Sequence, residues 1–270
     1  MNTIFHNEKF INEDQLKIKS SNRAFNYGDG FFESIKVINS NLFNFSVHYS
    51  RYQLSCDILK INIAKTEEEL FNILTELIKK NKIIHGNVKI HISRAGKGKY
   101  LPDSCNSEIL IKTNHGSIFK NNKAISICIF SGQLKSKNSL SNIKSINCLV
   151  SILASIYANN FGFDNALLKN SEENIIEATN SNIFILKNNV LYTPPVHDGA
   201  VLGSMREWIL EKENVIEKSL TETDIIQAEE VFITNSIKGI IPVKLVNIES
   251  DYIYRTKLSK ILQQRLINLS

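Results

Sequence analysis

The chain has 270 residues, 43% of them hydrophobic, which is ample for a sizeable core, and a prior of roughly 100 to 200 residues per domain suggests two domains. Its net charge of +5 is diluted, with Lys and Arg scattered among Asn and Ser and no basic tract interleaved with aromatics, which argues against nucleic acid and for an anionic small molecule. No apolar stretch reaches the ~18 residues of a membrane helix, Met1-Asn-Thr-Ile-Phe-His-Asn lacks a signal-peptide pattern, and Cys56, Cys105, Cys128 and Cys148 are too widely spaced for a zinc or disulfide motif, so the expectation is a cytoplasmic protein with free thiols and no metal.

In chain order, Phe31–Ile38 and Val88–Arg94 are strand-like, and in the second Val88, Ile90 and Ile92 alternate with Lys89, His91 and Ser93, which predicts a sheet buried on one face. Two helices fall between them. One runs from about Ser46 through Arg51, Leu54 and Ile58; the other starts at Thr66, whose Thr66-x-x-Glu69 capping box precedes Leu70, Ile73, Leu74 and Leu77. After strand-like Ile109–Lys112 the chain turns polar, and the reading is a small N-terminal α/β domain over residues 1–115, a linker over 116–123 and a larger domain over 124–270. The second half opens with the strand Ala124–Ile129, followed by a polar loop and a helix of about fourteen residues between Asn147 and Gly162. Further strands are expected at Ala166–Lys169, Asn182–Leu186, Val190–Tyr192 after an Asn188-Asn189 turn, and Glu230–Thr234, with helices over Ser204–Lys212 and Lys257–Ile267.

The stretch Ile175-Ile-Glu177-Ala-Thr-Asn-Ser-Asn182-Ile-Phe-Ile185 places one carboxylate among apolar residues typical of strands buried on both sides. An unpaired ion removed from water costs several kcal/mol, so Glu177 must face a cation. From this stretch alone, an Arg or Lys elsewhere in the core is sufficient.

The wider context changes that reading. Asn142-Ile-Lys144-Ser-Ile-Asn147 lies upstream; Leu191-Tyr-Thr-Pro-Pro195 and Gly199-Ala-Val-Leu-Gly203-Ser-Met-Arg206 lie downstream; Asn22-Arg-Ala-Phe-Asn-Tyr27-Gly-Asp-Gly30-Phe-Phe-Glu33 and His48-Tyr-Ser-Arg51 stand near the start. Together, over nearly the whole chain, they resemble the class IV (fold type IV) pyridoxal-phosphate enzymes, which include branched-chain aminotransferases, D-amino-acid aminotransferases and 4-amino-4-deoxychorismate lyases. The resemblance implies an α+β, two-domain fold with a small α/β sandwich and a larger pseudo-barrel, a homodimer, and pyridoxal 5'-phosphate as cofactor. By the same resemblance, Lys144 matches the lysine that bonds to the cofactor and then moves a proton, and Glu177 matches the carboxylate that keeps the pyridine nitrogen protonated. Arg51 matches the phosphate-binding arginine, Ser204 and Met205 the helix-start amides, and Ser236 a hydroxyl of the phosphate cradle, with Asn182 beside them. Ser204-Met205 stands where aminotransferases usually have Ile-Thr, and Cys148 replaces a tyrosine common in branched-chain enzymes.

For the substrate, the same comparison implies Tyr27, Glu33, Arg94, Lys99 and Asn235. The loop from Arg94 to Tyr100 and the Gly203-Ser-Met-Arg206 element are closer in form to the lyases than to the aminotransferases. The expected reaction is therefore conversion of an anionic amine, 4-amino-4-deoxychorismate, to 4-aminobenzoate and pyruvate. The alternative is amine transfer from branched-chain or D-amino acids to a 2-oxo acid.

Overall fold

The structure, a computed structural model, describes residues 2–269. The chain divides into two compact units: one comprises the chain up to Ile118 together with Ile143–Asn147, and the other comprises Phe119–Asn142 and the chain from Cys148 onward.

The first unit contains β1 (Thr3–His6), β2 (Lys9–Asn12), α1 (Arg23–Tyr27), β3 (Gly30–Ile38), β4 (Asn41–Leu42), α2 (Phe45–Leu59), α3 (Glu67–Lys80), β5 (Gly86–Arg94) and β6 (Ser107–His115). They form one antiparallel sheet in the order β2-β1-β6-β5-β3-β4. The alternation in β5 has the expected effect: Val88, Ile90 and Ile92 are buried and pack with Phe31, Ile35, Ile109 and Ile111 against Tyr52 of α2 and Leu70, Leu74 and Leu77 of α3. The capping box at Thr66 is present, with Thr66 Oγ1 accepting from the Glu69 amide at 3.3 Å and Glu69 accepting from the Thr66 amide at 2.8 Å.

The second unit contains β7 (Ile125–Ile129), α4 (Leu149–Asn160), β8 (Asn165–Lys169), β9 (Ile175–Ala178), β10 (Asn182–Lys187), β11 (Val190–Thr193), α5 (Ser204–Lys212), β12 (Val215–Glu217), α6 (Glu222–Ile226), β13 (Glu230–Asn235), β14 (Gly239–Asn247), β15 (Asp251–Ile253) and α7 (Lys257–Asn268). Its strands run in the order β12-β11-β10-β13-β14-β7-β8-β9, with β15 on β14. A bridge between Ala178 and Ser181 returns β9 to the start of β10, so the sheet curls into the expected pseudo-barrel around Ile183, Ile185, Val231, Ile233 and Val243. Lys187 pairs with Val190, and Asn188 and Asn189 both adopt positive φ (51° and 60°), the geometry of a two-residue hairpin turn.

The nine-residue β14 was not foreseen. Pro242 argues against a central strand because it lacks an amide proton. The structure accommodates it by letting β14 pair with β7 only from Val243 onward, so that edge of the ladder needs no donor at Pro242. No helix among the described residues is long and apolar enough to cross a membrane, and all four cysteines are free.

Candidate active site

In the first unit, residues 143–147 lie against the start of β3. The Phe32 amide donates to the Lys144 carbonyl at 2.9 Å, the Ile146 amide donates to the Gly30 carbonyl at 3.1 Å, and Phe31 bridges Ser145. Gly30 is needed for this approach, since a Cβ there would lie 2.2 Å from the Ile92 carbonyl oxygen and 2.9 Å from Ile146 Cδ1. The backbone is thereby fixed with Lys144 Nζ 4.6 Å from the centroid of the Phe32 ring. The same ring lies 4.8 Å from Lys89 Nζ and stacks on His91. Lys89 faces Ser34 and Lys112 across the ladder, on the sheet face opposite the hydrophobic core. Like charges directly opposite each other weaken a sheet unless an anion offsets them. Burial, followed by the charges of Lys89 and Lys112, lowers the His91 pKa to about 4.

On the helix side of the sheet, Glu33 is 2% exposed and both its oxygens are engaged. Arg51 holds them with a fork, Nε to Oε1 at 2.6 Å and Nη2 to Oε2 at 2.5 Å, while His48 Nδ1 lies 2.7 Å from Oε2. Burial opposes ionisation of Glu33, but the charge and hydrogen bonds of Arg51 prevail and the carboxyl falls to about 2. Burial likewise lowers the His48 pKa, helped by the nearby charges of Arg51 and Lys144 against the opposing pull of Glu33.

A depressed carboxyl stabilises the folded state above its ordinary value, and that stabilisation is lost as pH falls toward the folded-state value. For Glu33 the window runs from 4.5 down to about 2. Glu33→Gln should therefore remove about 3 kcal/mol at neutral pH and flatten the difference in urea stability across that window. Identical stability profiles for the two proteins would show that the Arg51–Glu33 pair is energetically neutral.

Behind this layer, Asp29 joins two arginines. Arg94 donates to both its oxygens (2.9 and 3.3 Å) and to the carbonyls of Lys60 (2.7 Å) and Leu59 (2.5 Å). Arg23 donates to Asp29 at 2.8 Å and to the carbonyls of Lys97, Gly98 and Lys99. Burial raises the Asp29 carboxyl, but hydrogen bonds and charge from Arg94 and Arg23 leave it below its usual value. A cavity of about 350 Å³ is lined here by Arg23, Tyr27, Asp29, Arg94, Tyr100 and Pro102.

In the second unit, Glu177 on β9 is 5% exposed. One oxygen pairs with Lys135 Nζ and the other accepts from the Val201 amide at 2.9 Å. The Val201 carbonyl accepts from Asn182 Nδ2 at 2.8 Å, and a Cβ on Gly203 would stand 1.8 Å from Asn182 Oδ1, so Asn182 and Gly203 fit each other only with glycine present. Gly203 caps α5 and offers no side chain to its first amides, while Ser204, Met205 and Arg206 are all buried. That is a donor set suited to an anion.

The family model described as amino-transferase class IV matches residues 30–246 of this chain. The chain belongs to the class IV aminotransferase family. A Methanocaldococcus jannaschii protein assigned by name as a branched-chain-amino-acid aminotransferase is 31% identical over 248 residues, covering 89% of this chain and 86% of that one. A Legionella pneumophila structure assigned as a 4-amino-4-deoxychorismate lyase is 30% identical with a TM-score of 0.85, each chain covered to 96%. A branched-chain aminotransferase from Thermoproteus uzoniensis, solved with norvaline, shares the fold with a TM-score of 0.90 over 98% of this chain and 93% of that one at 21% identity. The two-domain α+β fold of fold type IV is thus the one found, and pyridoxal 5'-phosphate agrees with membership of this family.

Within the family, the residues expected at the site fall into two groups. In the first unit Lys144 faces Phe32, and Arg51 is fixed by Glu33. In the second, Glu177, Asn182 and the start of α5 gather around Val201 and Gly203. Three of the residues expected to touch substrate have protein partners in the structure. Glu33 is a buried partner of Arg51 and His48, Arg94 is taken up by Asp29 and two carbonyls, and Asn235 gives its amide to Ser181 Oγ and its oxygen to the amides of Ile237 and Lys238, shaping the turn after β13. In each case the acceptor or donor lies far away in sequence or in a turn, which a motif does not reveal. Tyr27 and Lys99 are exposed, Ser236 is half-buried in the β13–β14 turn, and Cys148 sits at the start of α4. Sequence reasoning missed Lys89, Lys135 and Arg23; only Lys89 left a signal, its place on the polar phase of β5.

Proposed function

We propose that this chain is a pyridoxal 5'-phosphate-dependent 4-amino-4-deoxychorismate lyase that forms 4-aminobenzoate and pyruvate. The observation that carries the reading is the pair of ammonium groups of Lys89 and Lys144 at one aromatic ring, backed by Lys112 across the ladder. A substrate with two carboxylates is matched by this cationic face better than a neutral aliphatic amino acid is. The Legionella relative and the Gly203-Ser204-Met205-Arg206 element support the same reading.

The bound cofactor supplies an aldehyde for the substrate amine and a ring that takes up electrons. Lys144 would hold the cofactor through its amine, and the same amine would serve as the base that moves a proton at the carbon bearing the substrate nitrogen. Glu177, whose oxygens each keep a lone pair beside their contacts to Lys135 and Val201, would hold the ring nitrogen in its protonated form. In the first unit Arg51 would offer its charge to the phosphate; in the second, the first amides of α5 and the Ser236 hydroxyl would offer it hydrogen bonds. Phe32 and Lys89 orient the carbocycle and its carboxylates.

Offered 4-amino-4-deoxychorismate, the protein should release pyruvate, and Lys89→Met should raise KM about tenfold with kcat little changed, as expected for an interaction shared by ground and transition states. An unchanged KM would remove Lys89 from substrate recognition. The branched-chain relative favours a second reading, amine transfer to a 2-oxo acid, which uses the same Lys144 and Glu177.

The reading includes a homodimer in the cytoplasm, where the four cysteines would stay reduced. α4 supports the dimer: Leu149, Ile152, Leu153 and Ile156, spaced along one helical face, are 43 to 65% exposed. A second copy covering that stripe would remove it from water. Ile156→Asp should give monomers by light scattering at micromolar concentration; a wild-type protein that is itself monomeric and active would refute the dimer.

A further inference from the structure

We infer that Lys135 is a positioning residue that fixes the carboxylate of Glu177. The inference rests on the reading above for what Glu177 faces, but the clamp itself is built from residues of a single unit. The backbone of Lys135 is pinned beside the end of β8: its amide donates to the Lys169 carbonyl at 2.9 Å, and the residue bridges Asn170. From there its side chain, 15% exposed, reaches three acceptors that match the three protons of an ammonium: Glu177 Oε1, the Gly199 carbonyl at 3.3 Å and the Ser141 carbonyl at 3.4 Å.

Gly199 and Val201 belong to one short segment, and the Val201 amide holds the other oxygen of Glu177. The carboxylate is therefore gripped at both oxygens, by a cation on one side and an amide on the other, and the cation is tied to the same segment as the amide. Each oxygen retains a lone pair, so the grip limits how the carboxylate can turn without blocking a further donor. A lysine whose three protons are all engaged is a fixed strut; a lysine poised to leave would not need the two carbonyls. The companion segment is itself anchored, because Asn142 Nδ2 donates to the carbonyls of Val196 and Ala200 at 2.7 and 2.9 Å.

The test uses Lys135→Met, Lys135→Arg, Glu177→Gln and the double variant Lys135→Met/Glu177→Gln. In cofactor-free protein, Lys135→Met should lower the melting temperature by about 5 °C or more, because a buried carboxylate loses its partner. The double variant should recover most of that loss, since no lone charge remains. With pyridoxal 5'-phosphate added, Lys135→Met should bind it about tenfold more weakly, and the pH midpoint of the visible band should rise because a positive charge has left the site. Lys135→Arg should restore the midpoint. A purely structural lysine would leave the midpoint unmoved. Additive melting effects, or an unchanged midpoint and affinity in Lys135→Met, would overturn the assignment. A strong melting coupling in a protein that takes no cofactor on Lys144 would instead refute the functional reading and leave the clamp standing.

Discussion

Lys144→Ala should lose turnover by at least about a thousandfold while folding normally, because the residue acts through its amine and is held in place through its backbone. The contacts that anchor it, from the Phe32 amide to its carbonyl and from the Ile146 amide to Gly30, survive the substitution. The melting temperature of the cofactor-free variant should therefore stay close to that of the parent, which separates a chemical defect from a folding defect. Borohydride reduction of the parent with bound cofactor should fix the label on the peptide containing Lys144, and the variant should fix none. Full turnover in Lys144→Ala would end the assignment of this lysine.

Glu177→Gln should keep the cofactor but slow proton removal by about 10² to 10⁴. A neutral amide cannot stabilise a protonated ring nitrogen as a carboxylate does. Its NH₂ group would also face either the Lys135 ammonium or the Val201 amide, since both present donors to the present carboxylate. The variant should therefore lose the fixed orientation together with the charge. An isotope effect on the proton-transfer step that grows in the variant saturated with cofactor would agree with this. Unchanged rates would mean that the ring nitrogen has another partner.

Local chemistry was legible in the sequence where it depended on neighbours. The Thr66–Glu69 box, the alternation in β5, the Asn188-Asn189 turn and the buried run around Glu177 are all decided within a few residues, and all are present. Pairings across long separations were not legible. The attachment of residues 143–147 to β3 joins segments more than a hundred residues apart, and the periodicity of 143–147 contains nothing of β3. A lone buried carboxylate requires a cation, and Lys135, forty-two residues upstream, supplies one. The pairing is compatible with a cofactor and does not by itself require one, so its weight comes from family membership. The partner of Arg94 was hidden for a related reason: a basic residue beside a glycine-containing loop suggests a ligand, and Asp29, sixty-five residues away in sequence, lies next to it in space. Pro242 masked β14 because its tolerance depends on where the neighbouring strand begins to pair.

A lyase and an aminotransferase differ in their products. The purified protein with pyridoxal 5'-phosphate is offered 4-amino-4-deoxychorismate alone, and in parallel panels of D- and L-amino acids with 2-oxoglutarate or pyruvate. Pyruvate and 4-aminobenzoate should form in equal amounts from the first, with amine transfer in the panels slower by a wide margin. Rapid amine transfer with no pyruvate released from 4-amino-4-deoxychorismate would contradict it and identify the chain as an aminotransferase.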